Sequence, residues 1–143
     1  MNSNAEIDKV RNNLKSWMRA FNAKDLDALF ALYDPESLYA NAGAPLMQGV
    51  TAIKPWYAQA FAAVQGTLLF KEEYGTQSGD LALLVGKYYF KPPVGEDSPE
   101  NTTGRVALVY RRALDGRWLL LFDMDNTPPD TKPADFLEGI VLS

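Results

Sequence analysis

The chain has neither cysteine nor histidine. Without cysteine there are no disulfides, no thiolate nucleophile and no cysteine-bearing metal site, a composition compatible with a reducing, cytoplasmic setting. The missing histidine excludes more, because imidazole is the usual near-neutral base and the commonest transition-metal ligand. Proton transfer therefore falls to carboxylates, tyrosine, lysine or water. No apolar run approaches the roughly 20 residues that span a bilayer, and the opening MNSNAEIDKVRNN lacks the apolar stretch of a signal peptide, so no membrane role is expected. Concentrated positive charge is also lacking. The formal net charge is -4, and the Arg111-Arg112 pair is too short to make a phosphate-binding surface, so no nucleic-acid partner is expected. No G-x-G-x-x-G follows a strand, no G-K-[ST] exists, and H-E-x-x-H is impossible without histidine.

What remains is the composition of an ordinary globular domain. At 143 residues, with 47% hydrophobic and 22% charged side chains, the chain fits one core. Ile7, Val10, Leu14, Trp17 or Met18, and Phe21 recur every three or four residues and predict a first helix over about 4 to 22. Asp25 can cap a second, in which Leu26, Leu29, Phe30 and Tyr33 form a stripe and which Pro35 ends. A short strand is expected over 37 to 42. A third helix then starts near Thr51, carries Ile53, Trp56, Tyr57, Ala60, Phe61 and Val64, holds Pro55 in its first turn and closes at Gly66.

From Thr67 the period changes to two. Strands are expected over 67 to 74 and 81 to 90, then a Pro-rich acidic loop over 91 to 103 containing an N-T-T sequon at Asn101. Gly104 to Asn126 forms a long hairpin around Asp115-Gly116. A loop of Ala113 to Gly116 would pair Arg105 with Met124; a one-residue bulge would bring it opposite Asp123 or Asp125. The order of elements predicts an α+β fold with helices on one face of a curved, mainly antiparallel sheet. Residues 1–127 form the domain. Residues 128–143 form a Pro-rich, apolar tail expected to pack on the domain or on a partner subunit.

Asp123 and Asp125 lie two apart on one strand and share a face, where two carboxylates that are also partly buried push at least one pKa upward. The competing reading is that both are satisfied by Arg105 or by backbone amides. Trp17, Tyr39, Tyr57 and Phe61 are read as core or pocket wall. Of Lys87 and Tyr88 only one can look inward; an inward Lys87 would need a partner such as Asp123. A hard cation on the two carboxylates and an amide is a weak third option; no metal or cofactor is expected.

The segments WMRAFNAKDLDALFALY, SLYANAGAPLMQGVTAI, GDLALLVGKY and VYRRALDGRWLL together resemble the NTF2-like superfamily, in its ketosteroid-isomerase-like, SnoaL-like or DUF4440-type branch, over residues 5 to 127. The resemblance implies a cone of three helices on a strongly curved mixed sheet, a pocket in the mouth of the cone, and a homodimer through the outer sheet face. The isomerase's catalytic positions fall on Trp17, Asn41 and near Arg105, none of which is the residue that enzyme uses, so ketosteroid isomerase activity is not expected. Alignment of the last strand turns Leu121, Asp123 and Asp125 to the cavity, and Trp118, Leu120 and Phe122 to a partner. The implied function is binding of a small, partly apolar organic molecule, with cofactor-independent proton transfer, dehydration or hydrolysis by Asp123 or Asp125. Trp17, Asn41, Tyr57, Phe61, Lys87, Arg105 and Leu121 would bind the ligand. The alternative is a non-catalytic ligand-binding or protein-association domain.

Overall fold

A computed structural model describes residues 3–63, 65–96 and 102–143. Val64 and Asn101, singled out above, lie outside the described residues. The first helix, α1 (Ser3–Asn22), buries Ile7, Val10, Leu14, Trp17, Met18 and Phe21 against the sheet, as its three-and-four spacing requires. Its last residue ties it there. The Asn22 amide donates to Leu68 O at 3.0 Å while its oxygen accepts from Leu68 N–H at 2.8 Å.

The second helix, α2 (Leu26–Phe30), is capped by Asp25, which accepts from Ala28 N–H at 3.1 Å. It is shorter than its apolar stripe predicts. The chain turns at Ala31-Leu32 and runs as β1 (Tyr33–Ala40), so Pro35 lies in a strand instead of ending a helix. The strand tolerates it because the pairing of β1 with its neighbour is interrupted between Tyr33 and Leu38, where a missing N–H costs no ladder bond. Next come β2 (Met47–Gln48) and α3 (Val50–Ala63), which begins one residue before Thr51 and therefore holds Pro55 in its second turn.

Four long strands follow: β3 (Thr67–Ser78), β4 (Leu81–Lys91), β5 (Thr103–Arg112) and β6 (Trp118–Asn126). With β1 and β2 they form one open six-stranded sheet in the order β2-β1-β6-β5-β4-β3. Only the β1–β6 pair is parallel. Register shifts in the β1–β6, β3–β4 and β5–β6 pairs supply the bulges by which a sheet bends around helices.

The β5–β6 hairpin corrects the expected register. Arg112 pairs with Trp118, so the loop is Ala113 to Arg117, where Asp115 accepts from Arg117 N–H at 3.0 Å and Gly116 takes a φ of 90°. Further along, Tyr110 pairs with Leu120 and Val109 with Phe122, leaving Leu121 as the extra residue. The two shifts set Arg105 opposite Asn126, not Met124, Asp123 or Asp125. Parity changes as well. Trp118 and Leu120 are buried on the helix side together with Asp123, and of the three residues expected on the outer face only Phe122 remains there.

The tail folds back on its own sheet. A 3₁₀ turn (Pro133–Phe136) sets the Phe136 ring 5.5 Å from Tyr89, and Leu142 exchanges two backbone hydrogen bonds of 2.8 and 2.9 Å with Phe70 on the edge strand β3. Among the described residues no helix is long and apolar enough to cross a membrane.

Candidate functional site

Between the helices and the inner face of the sheet lies a cavity of about 270 Å³. Each wall follows from element periodicity. Alternation on β4 and β5 turns Tyr88, Phe90, Val106, Leu108 and Tyr110 inward, while α1 contributes Leu14, Trp17, Met18 and Phe21, and α3 contributes Trp56 and Tyr57. The rings interlock. Trp17 stacks on Phe21 at 5.1 Å, Tyr57 stacks on Tyr39 at 5.5 Å, and Trp56 meets Tyr39 edge-on at 5.2 Å.

Asp123 and Asp125 both line this cavity, but their surroundings differ. The Asp125 carboxylate is held on both oxygens: Ala42 N–H donates to Oδ1 at 2.7 Å and the Tyr88 hydroxyl donates to Oδ2 at 2.9 Å. Asp123 is 7% exposed, and among the described residues nothing donates a hydrogen bond to its carboxyl. Burial, followed by the charge of Asp125, pushes its pKa up to about 8. Phenols surround it. Tyr33, Tyr39, Tyr57, Tyr88 and Tyr110 all have raised pKa values, chiefly through burial, and the charge of Asp123 adds to the shift of each. They remain hydroxyl donors at neutral pH. Burial thus favours the protonated, neutral form of Asp123 at the wall of a largely apolar cavity.

The other expected site residues divide into two groups. Trp17, Asn41 and Tyr57 line the cavity. The Trp17 indole N–H is already engaged, donating to the Tyr33 hydroxyl at 3.0 Å. Phe61, Leu121, Lys87 and Arg105 do not line it. Phe61 stands behind the wall, edge-on to Phe21 at 5.2 Å and to Tyr57 at 6.1 Å. Leu121 is displaced by the bulge that it forms.

Lys87 and Arg105 require the larger correction. They pair with one another across β4 and β5 on the outer face, because the same register gives the inner positions to Tyr88 and Gly104. There Arg105 binds Glu73 at 2.7 Å and Asp130 at 2.9 Å, and Lys87 binds Asp135 at 3.1 Å. Among the described residues no lysine or arginine lines the cavity, and no three or more metal-ligating side chains cluster together.

Sequence reasoning did not single out Tyr33, Tyr88, Tyr110 or the Ala42 amide as neighbours of the acid pair. The signal for Tyr88 was present in the alternation with Lys87. The Ala42 contact has no sequence signal, since it joins residues 83 apart through a backbone group.

A family model described as a SnoaL-like domain matches residues 14–121. No curated protein matches the chain. Among solved structures, an NTF2-like protein of unknown function from Pseudomonas putida KT2440 is similar at 25% identity and a TM-score of 0.73, with 91% of this chain and 92% of that one covered. A domain of unknown function with a cystatin-like fold from Nostoc punctiforme gives 16% identity and a TM-score of 0.78 over 95% of this chain and 85% of that one. A candidate dehydratase of the NTF2-like family from Streptomyces avermitilis gives 19% and 0.71 over 89% and 99%. At under 25% identity the last two speak for the fold alone.

Proposed function

The chain belongs to the SnoaL-like domain family, and from that premise we propose that its cone binds a small, uncharged, partly apolar molecule and that Asp123 transfers a proton to or from it without a cofactor. The observation that carries this reading is that, among the described residues, the buried Asp123 carboxyl has no hydrogen-bond donor and faces an aromatic cavity with no cation in its lining. An anionic ligand would meet the charge of Asp125 with nothing to offset it. A neutral carbonyl or hydroxyl compound of roughly ten non-hydrogen atoms fits the volume and can accept a hydrogen bond from Asp123 or a phenol.

The chemistry follows from a carboxyl whose proton affinity lies near neutrality. Protonated, Asp123 is a general acid for a developing oxyanion or a leaving hydroxyl; ionised, it is a stronger base than an ordinary carboxylate. With an enolisable ketone, ionised Asp123 takes a proton from the carbon next to the carbonyl, the C–H electron pair moves toward oxygen, and the proton returns from Asp123. The enolate oxygen is stabilised by neighbouring hydroxyl donors.

Proton NMR in heavy water tests this with 1-tetralone. The chain should speed exchange at C2, with a rate that rises as pH passes through about 8, and Asp123→Asn should return it to the solvent rate. Equal rates for the two proteins would remove the catalytic reading. Ligand binding without exchange would identify the alternative, a non-catalytic binding or association domain, which the crowding of rings around Tyr57 favours.

A second copy of the chain is the proposed partner, in a reducing cytoplasmic setting. Tyr74, Leu81 and Met124 stand about half exposed on the outer side, beside Val85, Val109 and Phe122. Light scattering that finds only monomer at micromolar concentration would exclude this partner.

A further inference from the structure

The bond between Tyr88 and Asp125 spans three strands. Tyr88 is on β4 and Asp125 on β6, so the phenol must lie across β5, over a distance set by two strand spacings of about 4.8 Å each. The residue of β5 opposite Tyr88 is Gly104. A Cβ at that position would lie 2.5 Å from both the Tyr88 ring carbon Cζ and its hydroxyl oxygen, and 2.5 Å from the carbonyl of Asn126. Gly104 has no left-handed φ, so backbone conformation does not require glycine here. Space does.

We propose that Gly104 is a specificity-determining residue: the gap it leaves in β5 lets Tyr88 lie flat against the sheet, and this keeps the cavity deep enough for a two-ring ligand. A side chain at 104 must lift the phenol, and the other side of that ring is the cavity. The same displacement draws the hydroxyl away from Asp125, which also holds the rim through Ala42 N–H. Tyr88 is accordingly a positioning residue for the rim carboxylate, and Gly104 acts through it. The inference rests on the cavity being a binding site, but not on Asp123 being the proton carrier.

Titration calorimetry with two uncharged ketones, 1-tetralone and the single-ring cyclohexanone, tests the proposal on the full chain. Gly104→Ala should weaken 1-tetralone by about tenfold or more, since overpacking penalties are of that size, and leave cyclohexanone within about threefold. In a Tyr88→Ala background Gly104→Ala should weaken 1-tetralone less than it does in the unaltered chain, because only the clash with the Asn126 carbonyl then remains. Tyr88→Phe should speed hydrogen exchange at the Ala42 amide, because Asp125 then loses one of its two donors. Equal weakening of both ketones, the same loss from Gly104→Ala in both backgrounds, or no binding of 1-tetralone by the unaltered chain would each overturn the proposal. Should Gly104→Ala fail to fold, the double variant Gly104→Ala/Tyr88→Ala must fold and bind 1-tetralone; if it does not, the Asn126 carbonyl and not the ring is the dominant obstacle, and the proposal fails. The ketone comparison is read by calorimetry on chains that all keep Asp123, whereas proton exchange is a separate readout, so the two readings fail separately.

Discussion

The two faces of strands β4, β5 and β6 carry charge in opposite ways. On the outer face Arg105 bridges Glu73 and Asp130, and Lys87 binds Asp135, so each cation has an acid within 3.1 Å. The guanidinium of Arg105 holds Glu73 and Asp130 below the usual carboxylate range, while backbone and Lys87 hydrogen bonds do the same for Asp135. On the inner face two carboxylates share a cavity that no described cation reaches, and burial drives Asp123 the other way. One sheet therefore keeps its paired charges where water screens them and its unpaired acid buried on the inner face. Charged residues serve the tail on one side and candidate chemistry on the other.

The largest test of this contrast is the pH dependence of stability. The Asp123 pKa rises from an ordinary 3.8 to about 8 on folding, so its contribution is fully present below pH 3.8 and is lost as pH rises through about 8. Between those limits the chain should lose up to about 5 kcal/mol in denaturant unfolding, and Asp123→Asn should abolish most of that slope. The outer acids contribute with the opposite sign and at lower pH, where protonating Glu73, Asp130 and Asp135 removes stability.

A smaller effect separates the two causes acting on Asp123. Replacing Asp125 with Asn removes a like charge but leaves the burial, so the Asp123 midpoint should fall and stay well above that of an exposed carboxylate. A return to the ordinary value would show that charge dominates and that the cavity is wetter than its lining suggests. The smallest effect belongs to the outer face. Arg105→Ala should cost about 1 kcal/mol, more at low salt, and speed hydrogen exchange in residues 128–143 without moving the Asp123 midpoint. A shift of that midpoint would show that the faces are electrostatically coupled through the sheet.

These contrasts also mark how far sequence reasoning reaches. Periodicity of three and four placed the stripe of α1, and the change to period two located the long strands. The facing of individual residues was harder, because it depends on count. One further loop residue at Arg117 and one bulged residue at Leu121 moved the partner of Arg105 to Asn126 and turned Trp118 and Leu120 inward. The shared face of Asp123 and Asp125 lies beyond the bulge and depends only on their spacing of two. Their unequal environments were not legible, since they arise from Ala42 and Tyr88, distant in sequence and joined to Asp125 only by the fold.

The central claim is that Asp123 is a neutral acid at physiological pH. Carbon-13 NMR of the aspartate carboxyl carbons, assigned by Asp123→Asn and followed from pH 3 to 10, measures this directly. A midpoint near 8 for Asp123 is the predicted result. A midpoint below about 5, in the range of exposed carboxylates, would contradict the account.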